Sequence, residues 1–284
     1  MILQVIIMKA FDFLDTLFFD SNITITDLKK GLTNKNYLLK TEKESYVLRV
    51  PQADSIQIVN RHNETLALQA IQDSNIDVET IYYDESSGYK VTVYLPDALT
   101  YQESNDPYKI EKTAQLMKQF HSLNKTIDID FEPIALLKKY QSHIQSPLYD
   151  LSGYTHVVEE IQQLNNPKIL CHNDWVDGNI LFTDTRTYLI DYEYAGNNDP
   201  LFDVMSFISE NQIDDPVLRE RFYAVYFDEI NDSIRTQLES WENFHNYLWC
   251  HWAMMMWESR HEEVYRNIAK DKYSALSKKC KYRK

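Results

Sequence analysis

Glycine is scarce, with five in 284 residues, so the chain cannot rely on a Gly-rich loop to cradle phosphates. Cysteine is scarce too: Cys171, Cys250 and Cys280 are widely spaced and odd in number. That excludes a disulfide framework and a standard zinc site, and fits a reducing cytoplasm. No apolar run approaches the roughly 20 residues a membrane-spanning helix needs. The densest stretch, Tyr247 to Trp257, is too short and contains His251. The apolar start, Met1 to Met8, lacks a basic segment and a small-residue cleavage site. It is therefore not read as a signal peptide, and Met8 stands as an alternative start. Basic residues are outnumbered, 29 against 43, for a formal charge of −14. A nucleic-acid partner is not expected of such a field, whereas a small cation is tolerated. Internal repeats and low-complexity segments are absent.

What is present is an ordinary globular composition, 44% apolar and 25% charged, with 20 tyrosines. Strands are predicted at Thr24 to Leu28, Lys35 to Lys40, Tyr46 to Val50, Thr80 to Tyr83 and Lys90 to Tyr94. One helix interrupts them, over Ile56 to Ser74. Leu95-Pro96-Asp97 reads as a boundary, dividing an N-terminal lobe (1–96) from a C-terminal lobe (97–284). Helices follow at Tyr108 to Leu123, Pro133 to Tyr140 and Val157 to Leu164. A short burst, Ile169-Leu170-Cys171, precedes a hairpin of Ile180 to Phe182 and Thr187 to Asp191. From Leu201 onward the chain is mostly helical and ends in a basic tail, Lys278 to Lys284. This is the element order of an α+β, bilobal, protein-kinase-like fold. Its N-terminal lobe has a five-stranded antiparallel sheet with one helix. Its C-terminal lobe is mostly helical, with a catalytic hairpin.

The chemistry concentrates in Cys171-His172-Asn173-Asp174-Trp175-Val176-Asp177-Gly178-Asn179-Ile180-Leu181 and the following Leu189-Ile190-Asp191-Tyr192-Glu193-Tyr194. Taken singly, each Asp is an ordinary turn residue. Taken together, Asp174 and Asn179 lie five apart on one loop, and Asp191 ends the next short strand. Phosphoryl transfer needs a carboxylate beside the attacking hydroxyl, oxygen ligands for Mg²⁺ and a rigid frame. One hairpin can supply all three. His172 is read as a brace for the loop.

His-x-Asp-x-x-x-x-Asn followed by Ile-Asp-x-Glu-Tyr resembles the choline/ethanolamine kinase branch of the aminoglycoside-phosphotransferase-like kinases. Asn197, Phe202-Asp203 and Glu210 extend the resemblance, which runs from about Leu28 to Trp257. It implies ATP and Mg²⁺ as cofactors. It implies Asp174 as the base, Asn179 and Asp191 as metal ligands and Asp203 as a brace. Gly31 to Tyr37, with Thr33 and Asn34, matches the loop covering the phosphates. Arg49 matches the phosphate-binding cation, and Glu64 its ion-pair partner.

Trp249 and Trp252 are three apart and share a helix face. Composition alone makes such a Trp-rich and Met-rich stripe core; the resemblance makes these two a pocket for the quaternary ammonium of choline. Tyr194, Glu210 and Tyr265 are its further implied walls. Ethanolamine, thiamine or another amino alcohol are the alternatives within the class. A nucleotide-binding pseudokinase is the alternative outside it. Membrane insertion is not expected, and the oligomeric state stays open.

Overall fold

The structure, a computed structural model, describes residues 13–19, 22–28, 34–52 and 61–280. A short helix α1 (Phe13–Leu17) precedes strands β1 (Thr24–Asp27), β2 (Asn34–Lys40) and β3 (Ser45–Pro51). Helix α2 (Arg61–Ile71) follows, then β4 (Thr80–Asp84) and β5 (Tyr89–Val93). The five strands form an antiparallel sheet in the order β1-β2-β3-β5-β4. The β4–β5 turn needs Gly88, at φ +74, where a Cβ would press on Arg61.

Strand alternation sorts this sheet into two faces. Leu48 pairs with Val91 and both point, with Leu39 and Ile25, into a small apolar core closed by Leu14 of α1. Phe13 adds a stacked contact with Tyr82 at 4.6 Å. The adjoining pair is Arg49 and Lys90, on the opposite face. Two cations facing each other across strands repel, so this face needs anions. Helix α2 brings one: its buried positions, Glu64, Ala67 and Ile71, recur at helical spacing on one side.

Leu95-Pro96-Asp97 leads to β6 (Leu99–Thr100), with Asp97 at φ 61. The rest comprises α3 (Lys109–Ser122), α4 (Pro133–His143), α5 (His156–Gln162), β7 (Ile169–Cys171), β8 (Ile180–Phe182), β9 (Thr187–Leu189) and β10 (Gly196–Asn198). Four more helices complete it: α6 (Pro200–Glu210), α7 (Pro216–Tyr226), α8 (Asp232–Arg260) and α9 (Glu263–Cys280). Asp199, Asp215 and Asn231 cap α6, α7 and α8 through side-chain oxygens. The 29-residue α8 is the axis of this lobe, and α4, α5, α6 and α9 pack on it. The main core runs from α8 through α6 and α3 to Ala67 and Ile71 of α2, tying both lobes together. The architecture is the bilobal, protein-kinase-like α+β fold.

Several elements differ from expectation. The inserted helix is described only from Arg61, because 53–60 lie outside the described residues. It stops at Ile71, where Ser74 N–H closes a turn on the Ile71 carbonyl and Asn75 adopts φ 56. Helix α1 and strands β6 and β10 were not anticipated. Each is five residues or fewer, too short for a period to register. Among the described residues, no helix is long and apolar enough to cross a membrane.

Candidate active site

The β8–β9 hairpin aligns Ile180 with Leu189. One further bond, Ile190 N–H to the Asn179 carbonyl at 2.9 Å, carries the ladder past the strand ends. That sets Asp191 beside Asn179. Asn179 Nδ2 in turn donates to the Asp174 carbonyl at 2.9 Å and to Asp174 Oδ2 at 3.0 Å. The three residues singled out from the sequence therefore meet at one point. Asn173 and Asp191 sit in the left-handed region, at φ 66 and 70. For residues with a Cβ that conformation is costly, so surrounding bonds must hold it.

Those bonds come from behind. Asp203, completely buried in the first turn of α6, accepts the N–H of His172 at 2.8 Å and of Asn173 at 2.7 Å. It also accepts from His121 Nε2 at 3.0 Å. Burial pulls the Asp203 pKa upward, but the His121 hydrogen bond and charge outweigh it and hold the carboxyl below its ordinary value. His172 donates from Nε2 to the Ile190 carbonyl at 3.0 Å, while its Nδ1 lies 3.3 Å from the Asp174 N–H. Burial lowers its pKa and keeps it neutral, which suits both bonds. His172 thus braces the loop. Nearby, His121, Cys171 and Asp203 converge closely enough to bind a metal. Each already serves the brace: His121 also bonds the Tyr226 hydroxyl, and the Cys171 thiol, its pKa raised by burial, donates to the Asn198 carbonyl.

From the sheet, Arg49 reaches Asp191 Oδ1 at 2.6 Å and Glu64 Oε2 at 2.5 Å. Burial opposes its charge, but Glu64 and Asp191 keep it firmly protonated. Lys90 lies 3.2 Å from Asp77 and 3.7 Å from Glu64. Glu64 therefore serves both members of the cross-strand cation pair. Asn34, the first residue of β2, donates to Glu193 Oε2 at 3.1 Å. Thr33, with Gly31 and Leu32, lies outside the described residues.

A cleft of about 1310 Å³ joins these groups. Asn34, Arg49 and Val93 to Leu95 line it from the N-terminal lobe, Asp174, Asn179 and Asp191 from the loop and hairpin, and Tyr194, Glu210, Trp249 and Trp252 from the rest of the C-terminal lobe. Trp249 stands edge-on to Tyr194 and to Trp252, with ring centres 5.9 and 6.1 Å apart. Its indole N–H bonds His245 Nδ1 at 3.0 Å, and His245 Nε2 bonds the Phe202 carbonyl at 2.9 Å. Tyr265 is not a wall of the cleft. It is completely buried, packed edge-on against Trp252 at 5.6 Å, with its hydroxyl taken by Arg260. The turn from α8 into α9 after His261 puts it there, where it supports Trp252.

The cleft is strongly anionic. Burial, then Glu193, Asp191 and Glu210, raise the Asp174 pKa well above its ordinary value. Burial and Asp191 push Glu193 up to about 8. Carboxylates packed this closely favour a cation among them. Asn179 turns its nitrogen to Asp174, leaving Oδ1, and Asp191 has one oxygen beyond that held by Arg49. These hard oxygens fit Mg²⁺.

Sequence reasoning assigned no role to Lys90, Asp77, Glu193, His121, His245 or Lys272. Lys90 left a trace, as a lone charge in the strand Tyr89–Val93. Glu193 stands in the Ile-Asp-x-Glu-Tyr run itself; Asp77, His121, His245 and Lys272 belong to separate elements that meet only in three dimensions.

Residues 24–240 match the APH phosphotransferase enzyme family, and the chain belongs to that family. Within it, the resemblance is to the choline/ethanolamine kinase branch. Protein LicA of Haemophilus influenzae is 30% identical over 190 residues, 63% of this chain and 56% of that protein. A probable ethanolamine kinase A of Dictyostelium discoideum is 27% identical over 203 residues, 63% of this chain and 58% of that one. The chain thus spans little more than half the length of these curated relatives. The crystal structure of choline kinase LicA from Streptococcus pneumoniae superposes with a TM-score of 0.82, at 23% identity, covering 98% of this chain and 100% of that one.

Proposed function

We propose that the chain transfers the terminal phosphate of ATP to the hydroxyl of choline, in line and without a phospho-enzyme. The observation that carries this reading is the single cleft. Its lining brings together Asn34, Arg49 and Val93 to Leu95 of the N-terminal lobe, the carboxylates of Asp174 and Asp191, and the pair Trp249 and Trp252. Family membership and the relatives named as ethanolamine kinases and as a choline kinase support it.

Adenine would lie against Val93 to Ala98. Asn34 and Arg49, the latter oriented by Glu64, would meet the phosphates. Asn179 and Asp191 would hold Mg²⁺, which offsets phosphate charge when bound. Asp174 orients the hydroxyl and accepts its proton. Burial, and then its neighbouring carboxylates, raise its proton affinity, the direction a base at neutral pH needs. The faces of Trp249 and Trp252, with Tyr194 and Glu210, would receive the ammonium. A cytoplasmic place of action agrees with Cys171 and Cys250, both free and buried.

The test is ADP release with MgATP against choline, ethanolamine, thiamine and kanamycin, with Asp174→Asn as control. Turnover led by choline, and reduced about a thousandfold or more in the variant, supports the reading. Turnover led by another acceptor keeps the kinase and removes the choline assignment. ATP binding without turnover on any acceptor leaves the pseudokinase.

A further inference from the structure

We infer that Lys272 sets the selectivity of this site between quaternary and primary ammonium acceptors, by occupying the carboxylate of Glu210. This rests on the reading above that the acceptor is a small amino alcohol. Lys272 projects from α9 and is 7% exposed, yet it borders the same cleft as Trp249, Trp252 and Glu210. Its ammonium donates to Glu210 Oε1 at 2.6 Å and to the Ser209 carbonyl at 3.1 Å, with Ser209 Oγ at 3.4 Å. Ser209 Oγ also donates to Glu210 Oε1, at 3.1 Å. The cation lies on the last carbonyls of α6, where the helix dipole favours it.

The consequence is chemical. A primary ammonium entering the cleft brings three N–H groups, and each needs an acceptor once water is removed. Glu210 lines the cleft with Trp249 and Trp252, and its Oε1 already takes two donors, one of them the Lys272 ammonium, whose charge also weakens Oε2 as an acceptor. The Trp249 indole N–H is spent on His245, and that of Trp252 is buried without an acceptor. An indole N–H only donates, so these rings present faces and no acceptor. A trimethylammonium asks for faces and no acceptor. Lys272 therefore leaves the quaternary cation well served and offers the primary one a weakened acceptor. Its positive charge repels both alike, so charge cancels when the two are compared.

The experiment measures kcat/KM for choline and for ethanolamine on one preparation each of wild type, Lys272→Met and Lys272→Arg. Their ratio does not depend on how much of a preparation is folded. Freeing Glu210 should give ethanolamine one charged hydrogen bond, lowering the choline-to-ethanolamine ratio about tenfold in Lys272→Met. Lys272→Arg, which can still hold Glu210, should stay near wild type. Adding Glu210→Gln to Lys272→Met should restore most of the ratio. A ratio in Lys272→Met within about twofold of wild type overturns the inference. If that variant does not fold, Lys272→Leu, which likewise has no donor, carries the same comparison. Wild type that turns over neither substrate defeats the amino-alcohol reading itself, before any variant is compared.

Discussion

Asp203→Asn tests the brace behind the catalytic loop with almost no change in shape. The carboxylate has two oxygens and three donors: the His172 N–H on Oδ2, the Asn173 N–H on Oδ1 and His121 Nε2 on Oδ2. An amide keeps one oxygen. If that oxygen turns to Asn173, the NH₂ faces the His172 N–H, donor against donor. His121 can adjust by changing tautomer with the Tyr226 hydroxyl, but a backbone N–H cannot. The substitution thus strands one buried donor and removes the charge from the remaining bond, a loss of about 3 kcal/mol. At about 2–4 °C per kcal/mol for a chain of this size, the melting midpoint should fall by about 6–12 °C. The same bonds hold Asn173 in its left-handed conformation, one residue before Asp174. A shift of about 1 Å at the base should cost about a hundredfold in kcat. Thermal denaturation of the free protein gives the first number and steady-state kinetics the second. A variant that melts within about 2 °C of wild type and turns over at its rate would refute the brace.

The other perturbations probe the two ends of the cleft and its surroundings. Trp249→Ala should raise the acceptor KM about thirtyfold, the worth of a desolvated cation–π contact, and move the ATP KM by less than about twofold; equal changes would place Trp249 in the core alone. Arg49→Lys replaces a fork that bridges Glu64 and Asp191 with a point charge that reaches one of them. It should raise the ATP KM about tenfold while leaving the acceptor KM nearly constant, and an unchanged ATP KM would contradict the role. Burial lowers the His245 pKa from 6.5 to about 3. Between those values the native state binds fewer protons than the unfolded chain, so stability falls as pH drops from about 6.5 toward 3. From about pH 7 to pH 5 this residue should account for about 2 kcal/mol. His245→Gln should flatten that part of a urea-midpoint profile against pH, and parallel profiles would count against it.

The local pattern of the chain determined a good deal. Alternation placed all five strands of the large sheet, because one face of each has to be buried. The spacing of Asp174, Asn179 and Asp191 pointed to one hairpin, because a tight turn and a short strand pair leave few other arrangements. Helical spacing put Trp249 and Trp252 side by side. Tertiary structure decided what those positions face. Arg49 and Lys90 are 41 positions apart in the chain and become cross-strand neighbours only through the β3–β5 register. Glu64 then answers both because α2 turns its buried side to them. Tyr265 looked like one more aromatic wall, yet the reversal from α8 to α9 put it behind Trp252. The same reversal carried Lys272 to Glu210, 62 residues earlier. Sequence periodicity reports which side of an element is buried; which element lies opposite depends on packing summed over the whole core.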